Sequence, residues 1–246
     1  MIQFSARRAP SGELPVILAA GTSGVLLHEA IGHALEADFN QDGSSPYAGK
    51  IGEQVADDAV TIVDDARMSA ERGALNVDDE GSATGRTVLI EDGVLAGYVH
   101  DKIRAAQSGV ASTGSARRES YRHVPIPRMT CTRMENGPHS RDEIIAAVDH
   151  GILCETYSGG RVDLGGGDFE FTVKNAWRVE NGKVTAPVKD VVIVGNGPQL
   201  LRAVTMVADD ARMDPGGWSC GKKGQTVPVS HGMPTVLVSK LGVRQG

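Results

Sequence analysis

The stretch DFEFTVKNAWRVENGKVT, Asp168 to Thr185, carries the clearest structural signal in the chain. Its apolar residues alternate with polar ones, the period of a strand with one buried face. Near its end stands Asn181-Gly182, the dipeptide favoured where both central residues of a two-residue hairpin turn need positive φ. The reading is strand, turn, antiparallel strand within a strand-rich run from Gly160 to Thr185. Downstream, KDVVIVGNG (Lys189 to Gly197) gives one more strand. Asn196 then caps a helix over roughly 198–208, with Pro198 at its start. Thr235 to Ser239 is the last strand. Upstream, Ser140 and Glu143 form a capping box for a helix that runs to about His150 and is stopped by Gly151. VPIPRMTCTRM (Val124 to Met134) carries Pro125 and Pro127, which demote it to an edge strand or extended segment. TVLIEDGVLAGYVHD reads as a hairpin, Thr87 to Glu91 and Val94 to Val99, turning at Asp92-Gly93. AVTIVDD (Ala59 to Asp65) and PVILAAG (Pro15 to Gly21) are strands, and residues 38–60, 76–85 and 107–122 are loops. No repeat or linker divides the chain. The expectation is one α+β domain over 1–246, mostly antiparallel sheet, with about three helices and a distorted buried helix near residue 30.

The composition narrows the function classes. The 246 residues carry a formal charge of −6, and only 4% are aromatic, so the core rests on aliphatic side chains. Phosphate binding needs clustered Lys and Arg. The one basic cluster, Arg117-Arg118 with Arg122 and Arg128, is local, so nucleic acid is not the expected partner. Three scattered cysteines, Cys131, Cys154 and Cys220, do not form a disulfide framework. No apolar run approaches the roughly 20 residues of a membrane span. The first residues, MIQFSARRAP, lack the apolar core of a signal peptide. The expected location is cytoplasmic.

The chemistry lies in LLHEAIGHALEAD, Leu26 to Asp38, which contains His28, Glu29 and His33 within a nearly apolar helix read from about Ser23 to Ala37. Ionisable groups in a buried helix need partners. Zincins commonly place two histidines at i and i+4, on one helix face. Here the spacing is i and i+5, which at 3.6 residues per turn lies about 140° around the axis. One ion can be shared only if the helix widens by one residue, as in a π-bulge, or breaks. Gly32, directly before His33, makes that distortion cheap. A catalytic zinc usually has three protein ligands and one open position. Candidates for the third are Glu36, Asp38, Cys220 and His231, with Cys220 foremost because a soft thiolate suits zinc and its WSCGKKGQ context lets the backbone approach closely.

These residues sit within a wider pattern. The stretches LLHEAIGHALEADF (Leu26 to Phe39), RRESYRHVPIPRMTCT (Arg117 to Thr132), GGDFEFTV (Gly166 to Val173), ENGKVTAPVK (Glu180 to Lys189), VGNGPQLL (Val194 to Leu201) and CGKKGQTVPVSHGMPT (Cys220 to Thr235) together resemble the C-terminal half of the TldD/PmbA family, on its zinc-bearing side. The resemblance runs from about residue 15 to the end. It implies a cytoplasmic zinc metallopeptidase with His28, His33 and Cys220 as ligands and Glu29 as general base. It implies a peptide substrate, and a homodimer or a heterodimer with a PmbA/TldE-like subunit. The family's N-terminal domain, of comparable size, has no counterpart in these residues. The chain departs from the pattern at Cys131, where Asn is expected, and at Ser230-His231, where small residues are commoner.

For the reaction, Glu29 directly follows His28, the placement of a base beside a metal-bound water. Glu36 or Asp38 is a candidate to orient a ligand histidine, against the alternative of a solvated helix end. The extended run from Ser120 to Thr132 is a candidate for pairing with a peptide by strand addition. Arg117, Arg118, Tyr121 and Arg128 are the candidate substrate contacts, against the alternative that the arginines pair with the protein's own carboxylates. Two other classes stay open: a metal- or peptide-binding subunit without catalysis, and a DNA-associated regulator, which the charge disfavours.

Overall fold

A computed structural model describes residues 6–163 and 166–246. The first five residues of the expected lead-in, and residues 164–165 of the expected strand-rich run, lie outside the described residues. Two layers of strands carry the molecule, with a broken helix between them.

The first layer closes on itself. Asp168–Glu180 pairs antiparallel with both His150–Val162 and Val191–Asn196. Val191–Asn196 pairs with Val236–Gln245, which pairs antiparallel with Gly12–Leu18. Gly12–Leu18 then lies parallel to His150–Val162, Val16 opposite Ile152, and the ring of five strands is complete. Closure removes the exposed edges of an open sheet. The two 13-residue strands of the central hairpin reach both neighbours because bulges between Thr172 and Ala176 bend them. The period of two is visible in the packing. Val16, Leu18, Ile152 and Cys154 join the main core. Ile17 and Leu153 point the other way, into a smaller cluster with Ile144 and Val148, under and just beyond the helix Arg141–Ala146. Asn181 and Gly182 take the expected left-handed conformation (φ 51° and 69°) between Asp168–Glu180 and Lys183–Lys189.

The second layer is a sheet in the order Arg212–Met213, Gln225–Met233, Cys131–Met134, Ile62–Asp65, Arg86–Glu91, Val94–Leu95. Trp218–Lys222 adds to Gln225–Met233 through a tight turn at Lys223-Gly224 (φ 50° and 73°). The expected edge strand is corrected here. Of its prolines, Pro127 falls in a two-residue strand, Ile126–Pro127, against Ala116–Arg117, and Pro125 lies just before it. Cys131–Met134 is central, with Gln225–Met233 parallel on one side and Ile62–Asp65 antiparallel on the other.

Helix bounds also shift. The Ser140 capping box is present, but the helix spans only Arg141–Ala146, and the next strand begins at His150. The helix after Asn196 spans Gly197–Ala203 and stops where Val204–Val207 pairs with Val236–Gln245. A helix at Lys102–Ser108 lies in a segment assigned no element from the sequence. Its signals were local: the Asp101 side chain accepts from Arg104 N at 2.6 Å, and Gly109 ends it at φ 68°. Ala37–Gln41 is a further short helix at the edge of what was read as loop.

Candidate metal centre

The helix that carries the histidines begins as an ordinary α turn, Gly24–Leu27. It then widens into a π turn over His28–Gly32, in which the His33 N–H reaches back to His28 O, five residues earlier. It tightens into a 3₁₀ turn at His33–Leu35 and breaks at Glu36, whose backbone is extended (φ −79°, ψ 134°). The i, i+5 spacing is thus absorbed by one extra residue in the turn. Gly32 is also closely packed: a Cβ there would lie 2.2 Å from Met129 Sδ, so that side chain would have to shift.

The widening turns both histidines to one side, where the Trp218–Lys222 strand delivers Cys220. Ligand atoms of His28, His33 and Cys220 all lie within 4.8 Å of one another, and all three residues are buried. His33 Nε2 is 3.1 Å from Cys220 Sγ. Of the other candidates for a third ligand, none joins this group among the described residues. Asp38 instead receives Lys222 Nζ at 2.6 Å and Lys223 Nζ at 2.8 Å.

A polar floor holds His33. Its Nδ1 is 2.9 Å from Glu36 Oε2. Glu36 is fully buried and is met by Lys222 Nζ at 3.0 Å and Arg128 Nε at 3.9 Å. Arg128 Nη2 also donates to Cys220 O at 2.6 Å, so one guanidinium ties the cysteine's strand to the helix break. Burial alone would lower His33, but the charge of Glu36 and hydrogen bonds to Cys220 and Glu36 raise it to about 10. Glu36 itself is lowered, because His33 and Lys222 outweigh its burial. Lys222 had no signal in the sequence reading. A lysine beside a tight turn reads as surface until two buried carboxylates are found against it.

His28 is the opposite case. Burial, then His33 and His231, push its pKa well below the ordinary value, so the ring is neutral. Neither Nδ1 nor Nε2 has a hydrogen-bond partner. A buried neutral imidazole with two free nitrogens, beside a second imidazole and a thiol, is a donor set suited to a borderline-soft cation such as zinc. The residues therefore fit a metal, with Glu36 placed to orient one ligand. His231, one of the candidate third ligands, is buried, its ring centroid 5.7 Å from that of His28. Burial lowers it to about 4 against the pull of Asp214.

Glu29 is partly exposed, its Oε2 3.9 Å from His33 Nε2. Burial raises its carboxyl above the ordinary value, with His33 opposing. It lines a cleft of about 310 Å³ together with Val25, Trp218, Phe171 and the run Tyr157 to Val162. That run pairs on one side with Asp168–Glu180. Its other edge is open among the described residues, because Gly12–Leu18 stops pairing at Cys154.

The expected substrate contacts separate. Arg128 is fully buried and Arg117 nearly so, the latter donating to Met129 O at 2.7 Å. Neither has surface from which to meet a peptide: Arg117 is held by a backbone carbonyl, and Arg128 by backbone carbonyls and by the Glu36 carboxylate weighed as the alternative. Arg118 faces Asp79 at 3.6 Å. Tyr121 is 79% exposed and accepts a hydrogen bond from Arg122 Nε. The run Tyr157 to Val162 and Trp218 were not singled out in the sequence as cleft residues.

With this geometry in hand, comparison with known proteins is direct. Residues 11–245 match the family model described as PmbA/TldA metallopeptidase C-terminal domain. A "Metalloprotease TldD homolog" of Haemophilus influenzae is 47% identical over 243 residues, 99% of this chain and 50% of that protein. A "Zinc metalloprotease TldD homolog" of Saccharolobus solfataricus is 35% identical over 242 residues, 98% of this chain and 54% of that protein. The chain spans about half the length of the curated relatives it matches. Among solved structures, TldE from Thermococcus kodakarensis shares the fold with a TM-score of 0.78 at 24% identity, over 98% of this chain and 52% of that one. A putative modulator of a DNA gyrase from Thermotoga maritima gives 0.77 at 26% identity, over 97% and 51%. The α+β fold with few helices is common to these neighbours, and the chain belongs to the PmbA/TldA metallopeptidase C-terminal domain family.

Proposed function

We propose that this chain carries the active centre of a zinc peptidase that cleaves extended peptides, with His28, His33 and Cys220 as metal ligands and Glu29 as general base. One observation carries the reading: two imidazoles and a thiol converge within 4.8 Å beside a cleft that Glu29 lines. A cation held there supplies Lewis-acid polarisation of a carbonyl and a more acidic water. The residues do the rest. Glu29 faces the same side as the ligands and, with its carboxyl raised by burial, is tuned to take a proton and return it to a leaving amine. Glu36 keeps His33 in one orientation. Trp218 and Phe171 give the cleft apolar walls.

A peptide laid as a strand along the open edge from Tyr157 to Val162 passes beside Glu29. It would be gripped by its backbone, whatever its side chains. This moves the expected pairing segment from Ser120–Thr132 to the central hairpin. We place a PmbA/TldE-like subunit or a second copy of the chain as partner, on the fold shared with TldE. No described helix is long and apolar enough to cross a membrane. The cytoplasm remains the proposed location.

The test is elemental analysis of the purified chain beside Cys220→Ala and His33→Ala. The expected result is about one zinc per chain, lost in both variants. Glu29→Gln should keep the zinc and lose about 10²–10⁴-fold in cleavage of an unfolded peptide. Zinc binding without turnover in the wild type would instead favour a metal-binding subunit that needs further protein to act. No uptake from added zinc would sink the reading.

A further inference from the structure

His33 has a partner for its second ring nitrogen and His28 has none. A histidine that ligates a metal uses one nitrogen for the ion and almost always donates the other N–H to an acceptor, which fixes its tautomer and ring angle. For His33 that acceptor is Glu36. Near His28 the feature of interest is His231, on the Gln225–Met233 strand. Its centroid is 5.7 Å from that of His28, the rings inclined by 46°. Its Nδ1 is buried and also without a partner. That nitrogen lies over the helix face that carries His28. A Cβ added at Gly24 would sit 2.9 Å from it, and Gly24 is one turn before His28, whose N–H bonds Gly24 O. Trp218 packs against His231 at 5.1 Å and holds it from another side. Two imidazoles joined by an N–H···N bond of about 3 Å have centroids roughly 5–6 Å apart. The observed pair is within that range.

We infer that His231 Nδ1 is the acceptor for the N–H of His28's non-ligating nitrogen, which makes His231 the positioning residue for His28. The inference rests on the metal-centre reading above. It also explains a glycine: any side chain at position 24 would push the His231 strand off the helix, since its Cβ would lie 2.7 Å from the Gly232 backbone. The two ligands are then oriented by different chemistry, one by a carboxylate and the other by an imidazole that brings no negative charge. A carboxylate raises ligand basicity more than an imidazole does, so His28 is the weaker electron donor of the two.

The test measures zinc affinity of the whole chain by competition with a chromogenic chelator, and the visible spectrum of the cobalt-substituted protein, for wild type, His231→Val and His231→Gln. Valine removes the acceptor and glutamine keeps one. Expected are about a 10–100-fold loss of zinc affinity and a shifted cobalt spectrum for valine, with most of the affinity recovered by glutamine. Metal-free melting temperatures that agree between the two variants assign the difference to the site rather than to folding. Valine binding zinc as tightly as wild type, with an unchanged spectrum, would overturn the inference alone. X-ray absorption that counts three imidazoles on the zinc would overturn it too, by making His231 a ligand. Wild type that takes up no zinc would overturn both this and the reading beneath it.

Discussion

The floor beneath His33 and the socket around His28 solve the same problem in opposite ways. Under His33, Glu36, Lys222, Asp38 and Arg128 are buried together and neutralise one another at 2.6–3.9 Å. Around His28 no group bonds either ring nitrogen. Buried charges are costly unless each has a partner, so the floor holds its shape only as a complete set. It fixes His33, and through Arg128 the backbone of Cys220, with or without a cation. The socket carries an unmet need that a cation meets. On the proposed assignment, one ligand pair would be preorganised and the remaining ligand would couple metal binding to stability.

The largest effect should come from cutting the floor. Glu36→Ala strands Lys222 and Arg128 without their shared carboxylate and should cost about 3–5 kcal/mol in urea unfolding of the metal-free chain. His28→Leu should behave oppositely in the same assay. It removes two unsatisfied nitrogens, so the metal-free chain should be unchanged or gain about 1–2 kcal/mol while zinc uptake is lost. Equal destabilisation by the two substitutions would break the comparison. Next is metal removal itself: at free zinc about 100 times its dissociation constant, chelation should lower the unfolding free energy by about 2.7 kcal/mol. A calorimetric scan with and without chelator reads this.

Acid sharpens the comparison from the floor's side. Burial would raise the Asp38 carboxyl, but Lys222 and Lys223 prevail and hold it below its ordinary value. A carboxyl lowered by folding contributes stability that is present above its unfolded value, about 3.9, and is lost as pH falls through the folded value. Urea midpoints should therefore drop from pH 6 to pH 3, and less steeply in Asp38→Asn. An equal slope in both would remove Asp38 from the acid response. The smallest effect serves as a control. Ser140→Ala deletes the cap of the helix Arg141–Ala146, far from the site, and should cost about 1 kcal/mol with zinc affinity unchanged.

What the sequence determined by itself was local. Alternation marked the strands, because side chains on a pleated backbone repeat every two residues. Asn181-Gly182 and Asp92-Gly93 marked turns, because their left-handed φ is a property of those residues. The five-residue gap between His28 and His33 required a widened turn or a break if both were to face one ion, because i+5 on a regular helix lies about 140° around the axis, and the structure takes the widened turn. Cys220 could be named as foremost among four possible third ligands, on its thiolate chemistry and its WSCGKKGQ context. The tertiary structure decided whatever depends on pairing between distant segments. The parallel contact of Gly12–Leu18 with His150–Val162 closes the ring, and no local pattern specifies it. Whether Glu36 or Asp38 faces His33 was settled by the break in the helix, after which the two carboxylates diverge. Arg117, Arg128 and Lys222 look like surface residues in the sequence, since a charge is read as solvated until partners are known. For Arg128 and Lys222 those partners arrive from strands and turns some 90–185 residues away, and for Arg117 from a chain segment 12 residues on. His231 likewise became a neighbour of His28 only when its strand crossed the first turn of the helix. Propensity acts between neighbours in the chain, whereas the free energy of burying a charge or an imidazole depends on what the fold brings against it.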